Sequence, residues 1–214
     1  MRDSFRHRLD DLVASLVNMS DLAAAAMRDA TTALLTNGLG VAERVIADDR
    51  IVDMARSACE SDAHLLLALQ APVAGDLRLV IAAPHSAESL ERMGDLAQHV
   101  AETVRRRFPR EVLPPVLRPR FSHMADIAID LAHGAAEALR TRSSGLTSSV
   151  SDADEELNDL HRSLFAVLEY QDWSYGVGAA VDAVRLSQCY ERFGDHALSI
   201  VRRATFVETG VMAS

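Results

Sequence analysis

Apolar residues recur at spacings of three and four along almost the whole chain, the period of an amphipathic helix. Over 5–36 the repeating positions are Leu9, Leu12, Val13, Leu16, Met19 and Ala23. TNGLG at 36–40 ends that pattern, with Gly38 and Gly40 suited to a helix C-terminus. A second helix is predicted over about 41–70, and QAPVAGD at 70–76 breaks it. A third covers about 76–107 through Leu77, Val80, Ile81, Leu90, Ala97, Val100 and Val104. Pro84 lies inside it and predicts a kink or a short break. FPREVLPPVLRP at 108–119 is proline-rich and reads as a linker. Helices are then predicted over about 119–142, 150–171 and 178–207, with a turn at QDWSYGVG, 171–178.

Three helices, a linker and three more helices suggest a repeat, and the segments match in detail. MSDLAAAAMRDATTAL at 19–34 lies over MADIAIDLAHGAAEAL at 124–139, an offset of 105. DDRIVDMAR at 48–56 lies over DEELNDLHR at 154–162, an offset of 106. LERMGDLAQHV at 90–100 lies over YERFGDHALSI at 190–200, an offset of 100. The expectation is an all-α fold in two tandem three-helix units related by an internal pseudo-two-fold. They span residues 1–108 and 119–214, joined by a proline-rich linker at 109–118.

Composition agrees with helices. Aromatic residues are only 5% of the chain, so Ala, Leu and Val must fill the apolar positions. The formal net charge of −9 argues against a nucleic-acid ligand, which needs basic residues against its phosphates. It suits cations or basic protein partners. Cys59 and Cys189 lie 130 residues apart in helical patterns. A long-range disulfide is open to them, but two buried thiols in a reducing cytosol are the expectation. MRDSFRHRLDDL at the start lacks the apolar stretch of a signal peptide, and no run is long enough to span a bilayer. A soluble, cytoplasmic protein without membrane insertion is expected.

The chemistry lies in the repeated ERMGD (91–95) and ERFGD (191–195). On a wheel of ~100° per residue, Leu90, Gly94, Ala97 and Ala101 share the core stripe of the third helix. Beside it runs a polar stripe of Glu88, Glu91, Asp95, Gln98 and Glu102. In the repeat this thins to Gln188, Glu191, Asp195, Leu198 and Arg202, so only the central Glu/Asp pair is kept. The second helix of each half carries its own acid pair, Asp49 with Asp53 and Glu155 with Asp159. Like charges four apart repel, and more so beside a core seam where water is thin. Arg92 and Arg192 offer one remedy. A cation is another: four converging carboxylates suit iron, manganese, magnesium or calcium. From spacing alone, metal sites and salt-bridged surface stripes both stand. His196 beside Asp195 and His99 four beyond Asp95 are expected to be surface or helix-end histidines.

ERMGD and ERFGDH resemble the doubled signature of the PhoU family, bacterial regulators of phosphate uptake and phosphate signalling. VAGDLRLVIAA at 73–83 and VETG at 207–210 resemble further family segments. The arginine-only, alanine-rich composition resembles actinobacterial members of the mycobacterial PhoY type. The resemblance implies two three-helix bundles, with metal clusters, often iron, on acid-x-x-x-acid motifs. These map to Glu91, Asp95, Glu191 and Asp195, with Asp49, Asp53, Glu155 and Asp159 on the second helices. It implies a non-enzymatic negative regulator coupling a phosphate ABC transporter, through its ATPase subunit, to a sensor histidine kinase, and a homodimer.

Two alternatives remain beside it. One is a structural scaffold with solvated acid stripes. The other is a carboxylate-bridged metalloenzyme, but such bundles carry Glu-x-x-His, and no glutamate here has His three places on. GxSxG, Walker and HExxH motifs are absent from the sequence as well.

Overall fold

The computed structural model describes residues 2–169 and 173–211. Six long helices carry the chain: α1 (Arg2–Thr36), α2 (Leu39–Gln70), α3 (Ala74–Arg107), α4 (Arg118–Thr141), α5 (Thr147–Glu169) and α6 (Gly176–Thr209). No strand occurs among the described residues, so the all-α class read from the periodicity is the class found. The expected end of the fifth helix at 171, and the first two positions of the turn at 171–178, lie outside the described residues. Past them, the Trp173 indole donates to the carbonyl of Gly176, 3.0 Å away, at the start of α6.

Helices α1, α2 and α3 pack on one another, as do α4, α5 and α6. The two groups meet through α1 on α4 and α3 on α6. Both pairings are antiparallel, as a two-fold axis running across the helices gives. On α1 and α4, Ser20 donates to the carbonyl of Ala132 and Arg142 reaches Asp10. On α3 and α6, Arg78 near the start of one donates to the carbonyl of Val207 near the end of the other. Arg107 near the end of α3 holds the buried Asp182 near the start of α6, at 2.6 Å. One hydrophobic cluster runs through both groups, with Tyr190, Phe121, Phe193, Leu16 and Met19 among its fully buried members. Small alanines at 23, 30, 87, 97, 128 and 135 are all completely buried, which lets long helices approach closely without large aromatic fillers.

Three local features bear on the expectations. Pro84 does not break its helix: α3 continues through it. Ala82, Ala83, Ser86 and Ala87 are buried on either side of the proline, so packing holds both turns in place. That outweighs the ~3 kcal/mol that proline costs a helix interior. The first turn is not made by glycine. Asn37 takes the left-handed conformation (φ 53°), while Gly38 caps α2 and Gly40 lies within it. Asparagine tolerates that conformation, and its side-chain amide here donates to the carbonyl of Pro109 at 2.8 Å. The proline-rich stretch is itself packed. Val112, Leu113 and Leu117 are buried in the common core, and Pro115–Leu117 forms a short 3-10 turn leading into α4. The two cysteines are free, Cys59 buried and Cys189 half-buried.

Candidate functional site

The glycines of the repeated motif face the preceding helix. A Cβ placed on Gly94 of α3 would lie 3.4 Å from the Asp49 carboxylate and 3.5 Å from Val52, both on α2. A Cβ on Gly194 of α6 would lie 2.8 Å from the Asp154 carboxylate and 2.9 Å from Leu157, both on α5. Each glycine lets a buried aliphatic residue and an aspartate close against its helix. These contacts set the register of the repeat. Val52 matches Leu157, Val45 matches Val150 and Cys59 matches Leu164, all six buried and all at an offset of 105. Asp49 is therefore matched by Asp154, and Asp53 by Asn158, whose amide donates to Asp154 at 3.2 Å.

The sequence alignment at offset 106 is thus one residue out for α2 and α5. It places Glu155 and Asp159 opposite Asp49 and Asp53, but the structure places both on an exposed face. There they share one guanidinium, Arg162, at 2.6 Å each. Asp154 is the residue the sequence reading misses. Following the buried aliphatic positions, which already run at 105 in α1 and α4, would have found it.

Electrostatics mark the two aspartates as a pair. Burial, and then the neighbouring Asp53, Asp95 and Glu91, push the Asp49 carboxyl up to about 6. Burial, and then Asp195, Glu155 and Glu191, push Asp154 up to about 6. Glu91 and Glu191 are raised too, in each case by burial first and by the following aspartate second. In the first half Arg92 answers part of this charge, donating to Asp95 at 2.9 Å and lying 3.6 Å from Glu91. In the second half one oxygen of Asp154, Oδ1, is buried with no hydrogen-bond partner among the described residues. A buried, unpaired carboxylate oxygen is costly. His99 lies near enough to Asp49 to oppose its shift, while burial lowers His196.

Asp49, Asp53, Glu91 and Asp95 thus gather where α2 meets α3, and Asp154, Glu191 and Asp195 where α5 meets α6. The donor set is all oxygen and over-supplied with negative charge, which fits a hard cation in kind. Among the described residues, no three such side chains already stand close enough together to grip an ion. Glu91 and Asp95 are paired with Arg92, and Asp154 accepts from Asn158.

The close packing at Gly194 carries a prediction. Gly194→Ala should destabilise the protein by about 1–2 kcal/mol, because overpacking costs ~1–3 kcal/mol against a helix gain of up to ~1. Gly94→Ala meets only ordinary contacts and should be neutral or slightly stabilising. Urea unfolding of both variants checks the contrast; equal effects would count against the tighter seam in the second half.

Comparison with known proteins agrees with the fold. The PhoU domain model matches residues 16–104 and 121–204. The chain is 42% identical to the phosphate-specific transport system accessory protein PhoU homolog 1 of Mycobacterium leprae, over 98% of this chain and 95% of that protein. It is 43% identical to PhoU homolog 1 of Mycobacterium tuberculosis, over 99% and 96%. The fold superposes on the PhoU crystal structure from Streptococcus pneumoniae with a TM-score of 0.89 at 23% identity, covering 98% of this chain and 99% of that one. On these matches, this chain belongs to the PhoU family.

Proposed function

We propose that the protein is a non-enzymatic regulator of phosphate uptake and of the phosphate-starvation response. In this reading it links the ATPase subunit of a phosphate ABC transporter to a sensor histidine kinase. It works in the cytoplasm, at the inner membrane only through those partners, and as a homodimer. Relatives at 42–43% identity across nearly the whole chain carry the name of transport-system accessory proteins, which supports the role in phosphate transport. No helix among the described residues is long and apolar enough to cross a membrane, which suits attachment through partners.

The observation that carries the site is the pair of acid clusters, each closed onto a helix glycine in the same register. In our reading each holds a hard cation (iron, manganese, magnesium or calcium). Asp49, Asp53, Glu91 and Asp95 supply the first site, and Asp154, Glu191 and Asp195 the second. Side-chain rotation away from Arg92 brings the first set together. The arginine pairing also supports a second reading, in which the acids are salt-bridged stripes of a scaffold.

Two experiments decide. Elemental analysis and calorimetric titration with the four metals should find cation binding. Glu91→Ala with Asp95→Ala should remove the first-half site, and Asp154→Asn the second. Glu155→Ala with Asp159→Ala should change neither. Unaltered stoichiometry in the first two variants would leave the scaffold reading. Separately, the tagged chain should capture the transporter ATPase subunit and the kinase. Capture of neither, with or without phosphate and metal, would end the adaptor reading.

A further inference from the structure

A cleft of about 270 Å³ opens between α3 and α6, on the seam that joins the two halves. Its rim carries three guanidinium groups, Arg106, Arg185 and Arg192, with His99, the Thr103 hydroxyl and the Gln188 amide beside them. Glu102 is the one acid in the lining. In a chain of net charge −9, this is a local excess of positive charge. Arg185 and Arg192 form no ion pair with any described residue. Glu102 is engaged by Arg105 at 3.6 Å. Asp182 lies 3.5 Å from Arg106 but is held more closely by Arg107, so Arg106 has donors to spare.

The pseudo-two-fold shows why the cleft is open. At the offset of 100 that relates α3 to α6, Thr103 corresponds to Arg203, and Ser89 to Cys189. On the mate side the long Arg203 side chain fills the seam and donates to Ser89 at 2.8 Å. On the cleft side a short threonine and a thiol stand at those places, and the cleft stays open beside them among the described residues. On the cleft side Arg106 and Arg185 stand where the mate side has Phe206 and His85, Arg192 matches Arg92, and the plug is missing.

We propose that this cleft binds an anionic ligand through phosphoryl oxygens. Arg185 and Arg192 grip the oxyanion, and Arg106 and Gln188 complete its hydrogen bonds; the Thr103 hydroxyl, which donates to the carbonyl of His99 at 3.0 Å, accepts from Arg106 at 3.3 Å. Guanidinium groups suit such oxygens because their planar N–H forks donate in pairs. The volume lies just under the ~300–1,000 Å³ of pockets that swallow whole drug-sized ligands. It therefore takes a small inorganic phosphate species, or the phosphate end of a larger molecule whose remainder stays in solvent.

The test is calorimetric titration of the full chain at low ionic strength, after its metals have been stripped so that no cation site contributes. Orthophosphate, pyrophosphate and ATP are the ligands, and sulfate is the charge control. One-to-one binding of at least one phosphoryl ligand is expected, tighter than sulfate. Arg185→Gln with Arg192→Gln should weaken it at least about tenfold, because two charge-assisted bonds are lost. Arg140→Gln, on an exposed face of α4, should leave it unchanged. Thr103→Arg, which restores the plug of the mate side, should block binding while the helical circular dichroism persists. Tighter pyrophosphate or orthophosphate than ATP assigns a free inorganic anion; tighter ATP assigns a nucleotide tail. No binding by any of the three, affinity no better than sulfate, or an unchanged constant in the double variant would overturn the proposal.

Discussion

Tyr190→Ala is expected to destabilise the protein by about 3–5 kcal/mol, the range for deleting a large buried aromatic side chain. Tyr190 is completely buried where both halves meet. Its ring stands edge-on to Phe121 of α4, with centroids 5.8 Å apart. Its hydroxyl lies 2.8 Å from Thr31 of α1. The Thr31 hydroxyl itself donates to the carbonyl of Met27, so the tyrosine is the donor in that contact. One side chain of α6 therefore ties α1 and α4 together, and its loss opens a cavity between the halves. Tyr190→Phe keeps the ring and loses a single hydrogen bond, and should cost only about 1 kcal/mol, because Thr31 keeps its own partner. Urea or thermal unfolding of the two variants separates packing from hydrogen bonding. Similar losses for both would mean that the hydroxyl matters more than the ring.

The six helices are legible in the sequence because each buries one continuous face, and the spacing of that face is local information. The repeat is legible for the same reason, since Leu90, Gly94 and Ala97 recur as Tyr190, Gly194 and Ala197, all buried. Register between α2 and α5 is harder to read. Acidic residues are frequent at 48–53 and 152–159, so an alignment on charge slides by one and selects Glu155 over Asp154. On a helix a slip of one turns a side chain ~100° around the axis, enough to exchange a buried carboxylate for a solvated one. The unbroken helix at Pro84 and the turn at Asn37 are not legible because long-range partners decide them: buried neighbours in one case, the Pro109 carbonyl in the other. The cleft between α3 and α6 is not legible at all. Its arginines come from helices nearly eighty residues apart, and its space depends on Thr103 being shorter than Arg203.

A cation at saturating concentration should stabilise the protein at pH 7 by about 2.7 kcal/mol at a hundred times its dissociation constant. The stripped protein should respond to pH in the opposite sense to a salt-bridged one. Asp49 and Asp154 ionise near 6 when folded and near 3.8 when unfolded. The native state therefore binds more protons than the unfolded state between those values. Their stabilising contribution is complete below about 3.8 and is lost as the pH rises through about 6. Taking the pH from 7 to 5 should recover about 1 kcal/mol at the buried Asp154, and less at the more exposed Asp49. His161 and His196, both lowered by burial, act the other way as the pH falls below about 6.5. Comparison with Asp154→Asn removes their effect. The variant should be the more stable protein at pH 7, and its advantage should shrink towards pH 5. Cation binding reverses the logic, because ligating carboxylates must be ionised and protons compete with the metal. Stabilisation by manganese or magnesium should then be largest at pH 7 and weak at pH 5, and reduced in Asp154→Asn at either pH. Urea midpoints at the two pH values, with and without metal, measure all of this. A metal-free difference between wild type and Asp154→Asn that does not change with pH would remove the strained carboxylate. A metal effect identical in both proteins would remove Asp154 from the site.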